Sequence, residues 1–332
     1  MLRAYIERLV MVMMTTVVLV CATTQPPALW SAPLTFAAPD APLVASPTEQ
    51  EVAPLGQSDE YSPKFSIEGG WAWQLRADLD NAGDGRFTHD RGHARLRGRI
   101  PLQEDLELLL GIRQQRDNFG FSDMVSPWGS VNTTQFDAAL QWQATERWKV
   151  FAGGMARWAA EQGGSLGDGF EGGGAFGAAY ALSHDLVLGG GVGVQTQIED
   201  DLLIYPIVVA EWNISKRLKL STSLTTGWAN QTGGEIVYAA SDTVDIGVSA
   251  VFDYQRFRLS DDAPVSGGAG VTEALPVNFF VSVDLCATAR VTAFVGINAY
   301  GRLKTVDSSG NGVWASDHDP APVLGIQGTI RF

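Results

Sequence analysis

The chain has 332 residues, 45% of them hydrophobic, with 37 glycines and a formal net charge of −14 at pH 7. That acidic balance excludes nucleic acid as a partner, because phosphate binding needs a basic surface. Two cysteines exclude a disulfide framework, and the length suits one large β domain, since barrels exceed the usual length per domain without splitting.

Residues 1–22 read as a signal peptide. Arg3 and Arg8 flank a short polar region, and the apolar run from Leu9 to Ala22 is too short to span a bilayer as a helix. Val20, Cys21 and Ala22 offer a cleavage site, so export is expected. Residues 23–62 change character. Pro26, Pro27, Pro33, Pro39, Pro42, Pro47 and Pro54 punctuate Ala, Ser, Thr and acidic residues without periodicity, which predicts a disordered linker.

From Phe65 the pattern alternates with a period of two, and the barrel domain is assigned to 63–332. Phe65, Ile67, Gly69, Trp71, Trp73, Leu75, Ala77 and Leu79 share one face; Glu68, Gln74, Arg76 and Asp78 share the other. The next segment sets Ala94, Leu96, Gly98 and Ile100 against Arg91, His93, Arg95, Arg97 and Arg99. Similar segments follow through Leu110, Leu140 and Ala152, then around Phe176, Val192, Val208, Leu220, Tyr238, Val248, Val281 and Val295. The last segment ends the chain with Leu324, Ile326, Gly328, Ile330 and Phe332 on its apolar face. The pattern predicts an all-β, transmembrane, antiparallel up-and-down β-barrel of about fourteen strands, with twelve possible because the Tyr238 segment is short. Short connections such as Thr145–Arg147 and Ser215–Arg217 alternate with long polar ones such as Phe119–Val131 and Asp307–Asp319. The short ones are assigned to the periplasm and the long ones to the outside. Trp142, Trp148, Trp158, Trp212, Trp228 and Phe332 fall at segment ends, as an interfacial girdle does.

Two stretches carry a resemblance: Tyr254, Gln255, Arg256, Phe257, Arg258 and Leu259 before an acidic loop, and Asp317, His318, Asp319, Pro320, Ala321 and Pro322 before the closing strand. With them the C-terminal half resembles an uncharacterised family of bacterial outer-membrane β-barrel proteins of unknown function. The resemblance implies fold and outer-membrane location and brings no catalytic residues.

The chemistry concentrates on the second strand. On the lipid side, each Arg of a row would cost roughly 2–4 kcal/mol at the midplane, so Arg91, His93, Arg95, Arg97 and Arg99 are expected in the lumen. Guanidinium groups stay charged and need partners or water. Glu68, Asp78, Glu107 and Asp137 are expected to supply them, with Asp245, Asp253 and Asp284 farther around. This stripe is either a selectivity element in a pore or an ion-pair network that fills the barrel. The glycines at 172–174 and 189–193 precede no helical pattern and predict curvature or room on one lumen wall.

His89, His93, His184 and His318 show no pairing with a lipid-facing Ser, and no enzyme, cofactor or metal site is expected. The expected function is passive passage of small polar or ionic solutes through an arginine-lined lumen. A sealed barrel that binds a partner is the alternative, and a hydrolase at the rim, near His89 and His318, is the third reading. The expected partners are outer-membrane lipid, small solutes and, through Phe332, the barrel-insertion machinery.

Overall fold

The computed structural model describes residues 62–80, 83–222 and 233–332. The expected leader, the linker up to residue 61, and Trp228 lie outside them. The strands are β1 (Lys64–Asp78), β2 (Arg86–Gln103), β3 (Leu106–Ser122), β4 (Val131–Gln143), β5 (Trp148–Glu161) and β6 (Phe170–Ala181). They continue as β7 (Leu186–Gln197), β8 (Asp200–Ser215), β9 (Leu218–Ser221), β10 (Gly233–Ala239) and β11 (Val244–Val251). The last are β12 (Asp253–Arg258), β13 (Ala269–Cys286), β14 (Ala289–Val306), β15 (Gly312–His318) and β16 (Ala321–Arg331).

Each strand pairs antiparallel with its neighbour in sequence from β1 to β11, and β16 returns to β1. Closure runs to the last residue: Phe65 N–H donates to Phe332 O at 2.8 Å, and Phe332 N–H donates to Phe65 O at 2.9 Å. Two pairs of segments are single staves with a bend. β11 and β12 both lie along β13 and are separated by Phe252; β15 and β16 both lie along β14 and are separated by Asp319 and Pro320. Sixteen segments therefore make a closed barrel of fourteen staves. The shorter count of twelve falls away, because the Tyr238 segment is a full member, paired with both β9 and β11.

The outward face is apolar and exposed. Ile67, Leu96, Leu110, Leu140, Val208, Val248, Val295 and Leu324 all point away from the bore. Closure satisfies the backbone groups between neighbouring staves, which is what a strand in hydrocarbon requires. On β3 this belt stops at Ile112, and Gln114, Arg116 and Asn118 follow outward in its place, so β3 continues beyond the hydrocarbon.

One register differs from the alternation read in the sequence. The ladder between β1 and β2 shifts between Gln74 and Ala77, and the extra residue flips every later side chain. Ala77 and Leu79, expected outside, are buried inside; Arg76 and Asp78, expected inside, are exposed outside. The final loop differs too: the stretch expected as loop from Asp307 to Asp319 contains β15.

The glycine-rich wall has a packing reason. Inward glycines sit beneath aromatic rings of the adjoining strand: Gly177 under Phe151, Gly193 under Tyr205, Gly247 under Phe280 and Gly325 under Phe294. A Cβ at Gly177 would lie 2.2 Å from Phe151 Cζ and 2.6 Å from Gly190 O, so only glycine leaves the ring its seat.

Candidate functional site: a strand across the outer mouth

The outer end of the bore is shaped by a departure from the wall. After Phe252, β12 leaves the line of β11, stays paired with β13, and reaches β5 through a single parallel bridge, Arg258 to Ala160. β5 carries β6 only as far as the Trp158–Phe170 pair, which frees its outer end for β12. On the other side, β15 meets β1 through Leu79 and His318. The result is a smaller ring at the outer mouth, running β1 to β5 and then β12 to β15.

Apolar side chains fill that ring. Leu79, Phe87, Phe119, Trp128, Val131, Phe257, Leu259 and Leu303 form one buried cluster, with Trp314 packed against it. Trp128 comes from the loop between β3 and β4 and stands edge-on to Phe119, Phe121, Phe257 and Trp314 at 5.4–6.3 Å between ring centres. Such edge-to-face pairs contribute about 0.5–1.5 kcal/mol each beyond burial.

Beneath the apolar cluster lies a charged layer, and β12 supplies its far side. Arg91 on β2 is fully buried; its Nε donates to Asp117 Oδ1 at 2.6 Å, Nη1 to Asp253 Oδ2 at 2.9 Å, and Nη2 to Gln255 Oε1 at 3.1 Å. Gln255 Nε2 in turn donates to Asp117 Oδ2 and to Thr133 Oγ1, both at 3.2 Å. Asp253, Gln255 and Phe257 share a parity, so one face of β12 meets β2, β3 and β4. The other face carries Tyr254, Arg256 and Arg258 toward the turn between β7 and β8. There Arg256 Nη1 meets Asp200 Oδ2 at 2.8 Å, Arg258 Nη1 meets Glu199 Oε1 at 2.7 Å, and Gln197 donates to the Tyr254 hydroxyl at 3.0 Å. Glu199 has φ of 53°, so the turn itself is in the left-handed region.

The second-strand residues divide by depth. Below Arg91, His93 Nε2 lies 3.1 Å from Glu68 Oε1, and Arg95 Nη2 lies 3.5 Å from Asp137 Oδ1. Asp137 reaches across Gly111, where a Cβ would sit 2.0 Å from its Oδ2. Arg97 continues the inward row, half-buried, and Arg99 Nε lies 3.7 Å from Glu107 Oε2 near the periplasmic end. Asp78 is the exception. The bulge in β1 turns it outward, where it accepts from Arg86 at 3.0 Å, away from the stripe. Asp245 and Asp284 serve Arg290 instead of the second strand.

The four histidines keep separate hydrogen-bond partners, although His89 and His318 are near neighbours in the outer ring. His89 is buried against Asp117, 2.8 Å from its Oδ1, and stacks on Phe119 at 4.4 Å. His318 packs against Phe87 and offers Nδ1 to the Asp319 carbonyl at 2.7 Å, while His184 is exposed on a periplasmic turn.

Sequence alternation placed Arg91 in the bore but missed Asp117, Gln255 and Trp128. Their roles depend on β12 crossing to the opposite wall. The signal was local: the outward alternation breaks at Phe252, and the polar pair Asp253 and Gln255 follows on one parity with Phe257.

A closed, even-stranded barrel with an outward apolar belt is the architecture of the bacterial outer membrane. No family model and no curated protein matches the chain. Among solved structures it is similar to the Pseudomonas putida toluene transporter TodX, at 10% identity over 86% of this chain and 92% of that one, with a TM-score of 0.41. A deltaS2 mutant of the TodX monoaromatic hydrocarbon channel gives 10% identity, 87% and 93% coverage and a TM-score of 0.46. The KdgM porin gives 11% identity, 79% and 97% coverage and a TM-score of 0.31. The likeness is one of general barrel form, and it carries nothing about what this chain binds or passes.

Proposed function

We propose that this protein is an outer-membrane channel for small polar or ionic solutes, closed at its outer mouth by β12 and open when β12 moves back toward the line of β11. The observation that carries this reading is how β12 is held on its far side. A wall strand is fixed by a continuous backbone ladder, but β12 has one bridge to β5. Its other bonds across the bore are side-chain ion pairs and hydrogen bonds, through Asp253, Gln255, Arg256 and Arg258. Water can replace such bonds at modest net cost, about 0.5–1.5 kcal/mol each and 1.5–3 where a charge takes part.

In this reading the row of Arg91, His93, Arg95, Arg97 and Arg99, with Glu68, Glu107 and Asp137, lines the path and sets ion preference once β12 has moved. No catalytic role is proposed for any residue. The test is single-channel conductance of the refolded protein in a planar bilayer, comparing the native chain with Asp253→Asn, and Arg95→Glu for ion preference. The expected result is rare openings in the native chain, longer ones in Asp253→Asn, and an altered reversal potential in Arg95→Glu.

The apolar cluster around Trp128 favours a second reading, a permanently sealed barrel that stabilises the envelope or binds a partner. It predicts silence from both chains, with Asp253→Asn showing only lower stability.

A further inference from the structure

The periplasmic rim carries a feature that the bore does not use. The turn from β4 to β5 and the end of β6 enclose a shallow recess of about 380 Å³, lined by Thr145, Glu146, Arg147, Trp148 and Tyr180. Trp148 and Tyr180 pair across the strands with ring centres 4.8 Å apart, on the outward face at the lower edge of the apolar belt. Arg147 Nη1 lies 3.4 Å from the Tyr180 hydroxyl, which holds the guanidinium beside the rings. Many of the described arginines form close ion pairs with a carboxylate, whereas the hydrogen bond of Arg147 is to a phenol. The turn is fixed by hydrogen bonds: the Thr145 hydroxyl accepts from the N–H groups of Arg147 at 3.3 Å and Trp148 at 3.0 Å, and the Arg147 carbonyl accepts from Ala181 N–H at 2.9 Å.

We propose that this recess seats the headgroup of an aminophospholipid of the inner leaflet. The two charges suit a zwitterion: Arg147 meets the phosphate diester, and Glu146, next to it in the same recess, meets the primary ammonium. Trp148 and Tyr180 cover the glycerol and the first acyl carbons, the role aromatic side chains take at a membrane–water interface. The occupant follows from the setting, because the recess opens onto the lipid-facing belt at headgroup level. An exposed ion pair such as Arg147 with a phosphate contributes up to about 1 kcal/mol, or about fivefold in affinity.

The test is native mass spectrometry of the refolded mature chain in detergent, titrated with phosphatidylethanolamine, with phosphatidylglycerol, or with inorganic phosphate. The native chain should retain one phosphatidylethanolamine in preference to phosphatidylglycerol. Arg147→Gln should weaken retention about fivefold, Glu146→Gln should abolish the preference between the two lipids, and Arg217→Gln on another turn should change neither. All three sites are exposed, and heat-dependent gel migration checks that each variant is folded. Equal retention by Arg147→Gln and the native chain overturns the proposal. So does displacement of the lipid by inorganic phosphate, which would make this a site for free anions.

Discussion

Arg91 shows what a single residue decides here. It is wholly buried, and its charge is offset by two carboxylates from opposite sides of the bore. The two partners are not equivalent. Asp117 also accepts from Gln115 and Gln255 and contacts His89, so Asp117→Asn disrupts the whole layer. The expected cost is about 3–5 kcal/mol, the range for breaking a buried pair. Asp253→Asn leaves Arg91 with Asp117 and should cost about 1–3 kcal/mol. Urea unfolding in lipid vesicles should rank the variants in that order; the reverse order would mean Asp253 is the main anchor. A second residue-scale prediction lies in the outer loop. Asp307 accepts from the N–H groups of Ser309 at 2.8 Å and Asn311 at 2.9 Å, and these donors hold its carboxyl below the ordinary value of 3.8. Because the folded value is the lower one, the turn is supported above pH 3.8 and loses that support as pH falls through the folded value. The Asn311 amide shift in an NMR pH titration should therefore move with a midpoint below 3.8; a midpoint at or above it contradicts the assignment.

At the scale of the element, β12 is where reading the sequence stops short. Alternation set the apolar rows of β2, β3 and β16 on what is the exposed face, because a strand with one apolar face has its register set by that face. It failed at two local faults. The bulge after Gln74 is invisible to a strict period of two, and it moved Asp78 out of the bore and Leu79 into it. At Phe252 the outward apolar row visibly ends, but nothing in the alternation says that Asp253 meets a residue 162 positions earlier in the chain. The stretches that carried the family resemblance, 254–259 and 317–322, fall at β12 and at the corner between β15 and β16, where the outer ring departs from a plain barrel. If β12 moves, fixing it should stop conduction. Neighbouring strands lie about 4.8 Å apart, close enough for a disulfide, so Ala160→Cys with Arg258→Cys should lock the strand to β5. Openings should disappear on oxidation and return with a thiol reductant. Openings that persist in the oxidised protein would place the path elsewhere.

The whole molecule follows from one requirement, that every backbone polar group in hydrocarbon find a partner within the barrel. That requirement was the most legible part of the sequence: the even count, the apolar belt and the closure on Phe332 were all readable from alternation and chain order. What the bore holds was less legible, because inward positions tolerate charge, glycine and aromatic rings alike. The closure at Phe332 is separable from the expected recognition of its side chain by insertion machinery. Phe332 exchanges backbone hydrogen bonds with Phe65, and its side chain is 62% exposed. Phe332→Ser keeps the backbone pair, so it should refold in detergent like the native chain yet reach the outer membrane at clearly lower yield in cells. Equal yields would remove the proposed role with the insertion machinery.

Whether β12 is a movable closure is decided by planar-bilayer recording of the native chain beside Asp253→Asn. Rare, brief openings are expected in the native protein and longer ones in the variant, with both chains equally folded by heat-dependent gel migration. Silence from both folded proteins, or steady full conductance from the native chain, would contradict a movable closure.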